Sequence, residues 1–320
     1  MTSNARWRQR PPGSNWGDFG HDDQLGRLNL ITPECVRAAA REVREGIRFC
    51  LSLPLDVPGG NYHDLQRKAP QVFPVVRDGR VKHKLQTNPR HPDVYSDDFV
   101  TLYSQFSTQW DSLAHVGSMF DADADGVPEV RHYNGFVGTP DIARMAETGV
   151  QGRGVLVDLR RAFGDARRIV GYDEFMRTCE AQRATVESGD ILCIHTGQSD
   201  VLGAQGANPE RHWLENAFCH LDGCDERLLK WIDDSGIAAI AADNFAVEAV
   251  PPARVEEGRA YERLHELCLF KLGMPLGELW YLAELARWLE THRRTRFLLT
   301  APPLRLPGAV GSPVTPVATV

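Results

Sequence analysis

Three short apolar runs limit what this chain can fold into. Residues 154–159, 190–196 and 236–242 are each bounded by turn residues, the pattern of buried β-strands. Between and after them, residues 173–182, 225–234 and 279–290 have helical patterning, the last with Leu282, Leu285 and Leu289 on one face. Residues 296–300 read as a late strand, followed by a Pro/Gly-rich tail that cannot be helical. Near the start, Thr32 has the character of an N-cap, with Pro33 at the first helical position and Glu34 in the first turn. That helix is expected to run to about Gly46. Residues 50–100 read as loops around short strands, and 103–106, continuing towards Trp110, as a strand. Strands and helices are mixed throughout, with no internal repeat and no shift of composition. The reading is one α/β domain over residues 1–320, with a loop-rich N-terminal extension of about residues 1–31.

Charge and cysteine usage narrow the function classes. The formal net charge is -7, which argues against a nucleic-acid footprint. Seven cysteines are dispersed without a C-x-x-C pair, so a zinc knuckle is not expected and a reducing compartment is. No h-region follows the basic N-terminus, and no apolar run approaches the roughly 18 residues that span a bilayer. The expected location is the cytoplasm, with no membrane contact. A G-x-S-x-G elbow, a P-loop and a G-x-G-x-x-G are all absent, so an ordinary serine hydrolase and nucleotide binding lack support.

The most informative segment is Gln105-Phe106-Ser107-Thr108-Gln109-Trp110-Asp111-Ser112-Leu113-Ala114-His115. On a strand, Gln105, Gln109 and Asp111 share a face, with His115 close behind and Trp110 turned to the opposite face, towards the core. Oxygen ligands and an imidazole converging on one point suit a divalent cation. On spacing alone, polar residues alternating on a strand more often mark its solvated face than a metal site.

The segment resembles the H-x-G-T-H-x-D-x-P-x-H signature of the metal-dependent cyclase family, which contains bacterial kynurenine formamidases and isatin hydrolases. Thr108, Asp111 and His115 match it, whereas Gln105 and Gln109 stand where two metal-binding histidines are usual. Asp243-Asn244-Phe245-Ala246-Val247-Glu248 is similar to the family's acidic motif after a central strand. His265 and Glu278, separated by Gly273 and Pro275, resemble its late metal ligands. Residues 302–304 and 311–314 look like its C-terminal Gly-Ser-Pro signature, and residues 23–29 resemble the start of longer members.

The resemblance implies a swivelling β/β/α fold and a homodimer or higher homo-oligomer. It implies a metal-dependent hydrolase, arylformamidase-like or cyclic-amidase-like, acting on an amide, cyclic amide or lactone bond of a small carbonyl compound. Asp111, His265 and Glu278 would hold metal with Gln105 and Gln109, and His115 would be the general acid/base. The two glutamines imply one divalent ion, manganese or zinc with magnesium as a further candidate, because an amide oxygen suits harder ions. No organic cofactor is expected. His21, His195 and Glu248 are candidates for substrate contact.

Other roles stand beside these. His265 fits a helix residue satisfied by a carbonyl, Glu278 a cap for the helix near Leu279, and Glu248 a surface carboxylate. His195 fits a packed core-edge residue, and His212, His220 and His292 read as surface. A lyase, dehydratase or cyclase on the same scaffold, or a binding protein with a degenerate metal site, are the competing functions.

Overall fold

The computed structural model describes residues 6–59, 67–138, 140–205 and 216–320. Nine strands form one mixed sheet: β1 (Arg48–Cys50), β2 (Gln109–Asp111), β3 (Gln151–Asp158), β4 (Ile191–His195), β5 (Ala239–Ala242), β6 (Leu276–Glu278), β7 (Arg296–Thr300), β8 (Gly311–Pro313) and β9 (Val317–Thr319). Their spatial order is β1-β9-β7-β3-β4-β5-β6-β2-β8. The central strands β3 to β6 are parallel, and all other pairings are antiparallel.

The central strands are apolar at nearly every position because both sheet faces are covered. On one face, Val155, Val157, Leu192, Ile194 and Ile240 meet Phe175 and Cys179 of α2 (Tyr172–Gln182), and Leu228 and Ile232 of α3 (Glu226–Ser235). The other face packs Leu156, Cys193, Ala241 and Phe297 against Leu285 and Leu289 of α4 (Ala283–Thr291). Leu282, just ahead of α4, joins them. Trp110 is fully buried in this second layer, as its alternation with Gln109 and Asp111 requires.

Several boundaries differ from the sequence reading. The helix after Thr32 covers only Pro33–Ala40, because the following Arg41, Glu42, Arg44 and Glu45 offer no apolar face. The chain instead turns, and Glu45 and Gly46 donate their backbone N–H groups to the Val320 carbonyl. Gly236 belongs to the preceding helix, ending it in the left-handed conformation, so β5 begins only at Ala239. Residues 279–282 are not helical: Leu279 has φ 55°, and its N–H is held by the Asn244 carbonyl. Residues 103–106 are not a strand either. Beside them the Thr108 hydroxyl accepts the Leu53 N–H and donates to the Leu279 carbonyl, replacing ladder bonds. The tail contributes β8 and β9 and has no helix.

Residues 26–30 form a 3₁₀ helix. Arg27 passes into the interior and donates to the Ile232 and Asp233 carbonyls at the end of α3. The early motif around Gly26 therefore ties the N-terminal segment to the domain. Two ribbons stand off the sheet. In one, Gln71–Pro74 pairs with Asp98–Thr101 and Val76–Arg77 with Arg80–Val81; in the other, Ser118–Phe120 pairs with Glu129–Arg131. No helix among the described residues is long and apolar enough to cross a membrane. All seven cysteines are free.

Candidate metal centre

Strand register assembles the site. β2 runs antiparallel to β6 with Gln109 opposite Glu278 and Asp111 opposite Leu276. Gln109, Asp111 and Glu278 therefore project from one face, and Trp110 and Gly277 from the other. The helical turn Arg263–His265 brings His265 over the same point. Ligand atoms of Asp111, His265 and Glu278 all lie within 4.8 Å of one another, and all three residues are buried. Residues more than 150 positions apart are thus joined in one group.

Hydrogen bonds orient each member. Gln109 Nε2 donates to Glu278 Oε2 at 2.9 Å. Glu278 Oε1 lies 3.4 Å from His265 Nε2. Glu248 is buried: its carboxylate accepts the backbone N–H groups of Leu264 and His265, and Oε1 also accepts from His265 Nδ1 at 2.8 Å. That bond places the neutral ring's proton on Nδ1 and frees Nε2 to face Glu278 and Asp111, the arrangement in which a carboxylate orients a ligating histidine. Gly223 makes room for it, since a Cβ there would sit 1.9 Å from Glu248 Oε2. Glu248 is therefore neither a surface carboxylate nor a free substrate-binding group. Glu278 lies on β6 and caps no helix.

Gln105 takes a different position from Gln109. Its Nε2 donates to Asp111 Oδ1 and lies 3.0 Å from His115 Nδ1. It presents its amide nitrogen, not its oxygen, to the group. Gly311 permits this, because a Cβ there would stand 2.6 Å from Gln105 Cγ. Arg67 donates to the Gln105 carbonyl oxygen at 2.5 Å. His115 is half-buried at the edge of the group.

The electrostatics favour a cation. Burial pushes the Asp111 carboxyl above its ordinary range. Burial also acts to raise Glu278, but the hydrogen bond and charge of His265 bring it below its ordinary value. Burial opposes charge on His265, yet its bonds to Glu248 and Glu278 hold its proton well above the usual imidazole range. Two buried oxygens of this group, Gln109 Oε1 and Asp111 Oδ2, have no hydrogen-bond partner among the described residues. Leaving such atoms unsatisfied costs about 1–3 kcal/mol each, more for a charged group. Two unpaired oxygens beside an imidazole nitrogen and a second carboxylate are the donors a divalent ion requires.

His195 lies elsewhere, in a buried ion network at the carboxyl ends of β3, β4 and β5. Its Nδ1 is 3.0 Å from Asp158, and its Nε2 is 3.4 Å from Asp200 and 3.8 Å from Asp243. Asp243 in turn accepts the Thr196 and Gly197 N–H groups, and Arg160 pairs with Asp200. Burial disfavours the imidazolium, but Asp158, Asp200 and Asp243 outweigh it and raise His195 to about 10. A raised folded-state value means that this stabilisation is full below about pH 6.5, the ordinary value of a free histidine, and is lost as pH climbs through about 10. Melting temperature is therefore expected to fall between pH 7 and 10.5, and His195→Gln should flatten that slope. An unchanged slope in the variant would assign the fall to other groups.

His21 is exposed, stacks on Trp7 and lies 3.6 Å from Asp22, contacts that do not join it to the Asp111 group. His220, expected at the surface, is buried: its Nδ1 lies 3.1 Å from Asn244 Nδ2, and burial pushes it down to about 4. His292 is exposed and stacks on Trp288. His212 lies outside the described residues. Asp121, Asp123 and Asp125 also cluster, in the turn of the second ribbon, where Asp121 accepts the Asp125 and Gly126 N–H groups.

Comparisons with known proteins agree with this architecture. Among curated proteins none matches this chain. A crystal structure described as a novel cyclase is 29% identical, covers 98% of this chain and 100% of its own, and superposes with a TM-score of 0.79. Isatin hydrolase A from Labrenzia aggregata, bound to benzyl benzoate, shares the fold at 14% identity and TM-score 0.60, covering 88% of this chain and 95% of its own. Isatin hydrolase A from Ralstonia solanacearum does so at 15% identity and TM-score 0.59, covering 90% and 97%. The Cyclase family model matches residues 51–249, which include the Gln105–His115 segment and the strand ends leading to Glu248, and the chain belongs to that family.

Proposed function

We propose that this chain is a metal-dependent hydrolase acting on an amide, cyclic amide or lactone bond of a small carbonyl compound. The observation that carries the reading is the buried group of Asp111, His265 and Glu278, with unpaired oxygens on Asp111 and Gln109. Asp111 Oδ2, Gln109 Oε1, His265 Nε2 and a Glu278 oxygen would hold one divalent ion. When bound, such an ion supplies Lewis-acid polarisation of a carbonyl and acidifies water at neutral pH. Fold likeness to isatin hydrolases, one of them bound to the product analogue thioisatinate, supports cyclic amides as the first substrates to test.

The protein's own groups supply the proton transfer and the orientation. Gln105 Nε2 has two hydrogens, one for Asp111 Oδ1 and one for His115 Nδ1. That donation leaves the neutral His115 proton on Nε2, the nitrogen free to exchange a proton with the leaving group. An imidazole is the side chain most often used for such a proton exchange. Glu248 keeps the His265 ring turned towards the ion. The substrate would be a small molecule, and the protein a homodimer or higher homo-oligomer acting in the cytoplasm.

The test is metal content after chelator-free purification, with turnover measured after adding back manganese, zinc and magnesium separately. One ion per chain and metal-restored hydrolysis with solvent oxygen in the product are expected. Metal-independent turnover, or product without labelled solvent oxygen, would displace the hydrolase reading in favour of a lyase or a binding protein.

The glutamines make a separate prediction about the ion. A donor set of three oxygens and one nitrogen favours harder ions over zinc. Gln105→His/Gln109→His is expected to tighten zinc binding by about tenfold or more, roughly 1.4 kcal/mol. Calorimetry giving two tight zinc sites in the unaltered protein would contradict it.

A further inference from the structure

A cleft outside the Asp111 group collects more cations than its carboxylates can match. It has a volume of about 290 Å³ and lies off the carboxyl end of β3, by the C-terminal ends of α2 and α4. β3 outruns β7 there. Leu156 still donates its N–H to the Thr295 carbonyl, but at Asp158 the Gln182 side-chain amide takes both backbone groups. The β7 side of the sheet therefore stops short, and a hollow is left between the helix ends.

Arg161, Arg183, Arg293 and Arg294 line this hollow, against Asp158 and Glu290. Arg161 pairs with Glu290 at 3.3 Å, and Arg294 with Glu45 at 2.9 Å. Asp158 is matched by His195 at 3.0 Å. Among the described residues no carboxylate pairs with Arg183 or Arg293. Two exposed guanidinium groups are thus left over at the rim of an otherwise balanced cleft.

The backbone singles out the same two residues. Arg183 caps α2 with φ 56°, and Arg293 follows α4 with φ 54°. Both are left-handed positions of the kind that glycine ordinarily takes at a helix end. The helix dipole favours a cation near each C-terminus, but the last turn would serve it without strain. Neither helix has a basic residue in its last turn. Non-glycine residues held in this conformation cluster at ligand clamps and other functional sites.

We propose that this cleft binds a phosphate group, held between Arg183 and Arg293. A guanidinium fork matches phosphate oxygens in a bidentate manner. A phosphate head carries about -1.5 to -2 charges near pH 7, which balances two unpaired cations, whereas a monocarboxylate would leave one unmatched. The group is either the free anion or the head of a small monoester whose body lies over Leu156 and Leu289. No member of the Asp111 group lines the cleft, so failure of this proposal leaves the hydrolase reading untouched.

The test is calorimetry of the full, metal-loaded chain at low chloride, with inorganic phosphate and phenyl phosphate titrated separately. A Kd of about 1 mM or tighter is expected for at least one of them. Arg183→Gly/Arg293→Gly is the decisive variant, because glycine removes both cations and suits both backbone conformations. It is expected to weaken phosphate binding by at least ~100-fold, the effect of losing charge-assisted hydrogen bonds from two arginines. The melting temperature of the phosphate-free variant should equal or exceed the parent's. Arg183→Lys/Arg293→Lys keeps the charges without the forks and should bind about tenfold more weakly than the parent. Tighter binding of phenyl phosphate would assign the site to a monoester, and equal or weaker binding to the free anion. Phosphate held as tightly by the glycine variant as by the parent would lie on the metal group instead and would overturn the proposal. Absence of binding to the unaltered protein would overturn it as well.

Discussion

Asp111→Ala is expected to strip the protein of its divalent ion and to lower turnover by about 10³-fold or more. Asp111 is fully buried on β2, and its Oδ2 has no hydrogen-bond partner among the described residues. Its other oxygen is taken by Gln105. With both glutamines offering only neutral amides, Asp111 and Glu278 are the two anionic oxygen donors of the group. Lewis-acid activation is worth several kcal/mol, and each 1.36 kcal/mol is a factor of ten in rate. The same substitution should not lower the melting temperature of metal-free protein, because it removes a buried carboxylate whose burial already disfavours its charge. Metal content by mass spectrometry, turnover and melting temperature on one preparation check all three. A variant that keeps its metal, or that loses stability with metal still bound, would assign Asp111 a structural part instead.

The second large effect separates proton transfer from metal holding. His115→Ala is expected to lose about 10²–10⁴-fold in turnover, the usual contribution of a general acid/base, with metal content near normal. The geometry behind this is the Gln105 bridge. His115 Nδ1 faces an amide nitrogen at 3.0 Å and not a ligand oxygen, so the ring stands beside the group without completing it. If His115 only packs against its neighbours, the variant should melt earlier and turn over at close to the parent rate. Near-full activity on any substrate that the parent hydrolyses would remove His115 from the mechanism.

These expectations depend on how local information met tertiary information. The apolar runs ending near Asp158, His195 and Ala242 were legible because a strand buried on both faces needs little besides apolar side chains. The division of Gln109 and Asp111 from Trp110 was legible for a similar reason. A period of two is a local property of extended chain, and it holds in β2. Element ends were less legible. Gly236 looks like the start of a strand, but it ends α3, because only glycine adopts the left-handed conformation there without strain. Gln105 looks like part of the strand with Gln109, but the turn between them aims its amide at Asp111 by another route.

By itself the sequence determined the class of fold, three of the buried strands and the order of motifs along the chain. All of these follow from periodicity and from residue types close together in sequence. Only the tertiary structure decided that Glu248 is buried against His265, that Gln109 binds Glu278 across the β2–β6 ladder, and that His195 belongs to a separate ion network. Those pairings join residues 17 to 169 positions apart. They are settled by strand register and by the space left at Gly223 and Gly311, and neither quantity is written in any local stretch of chain.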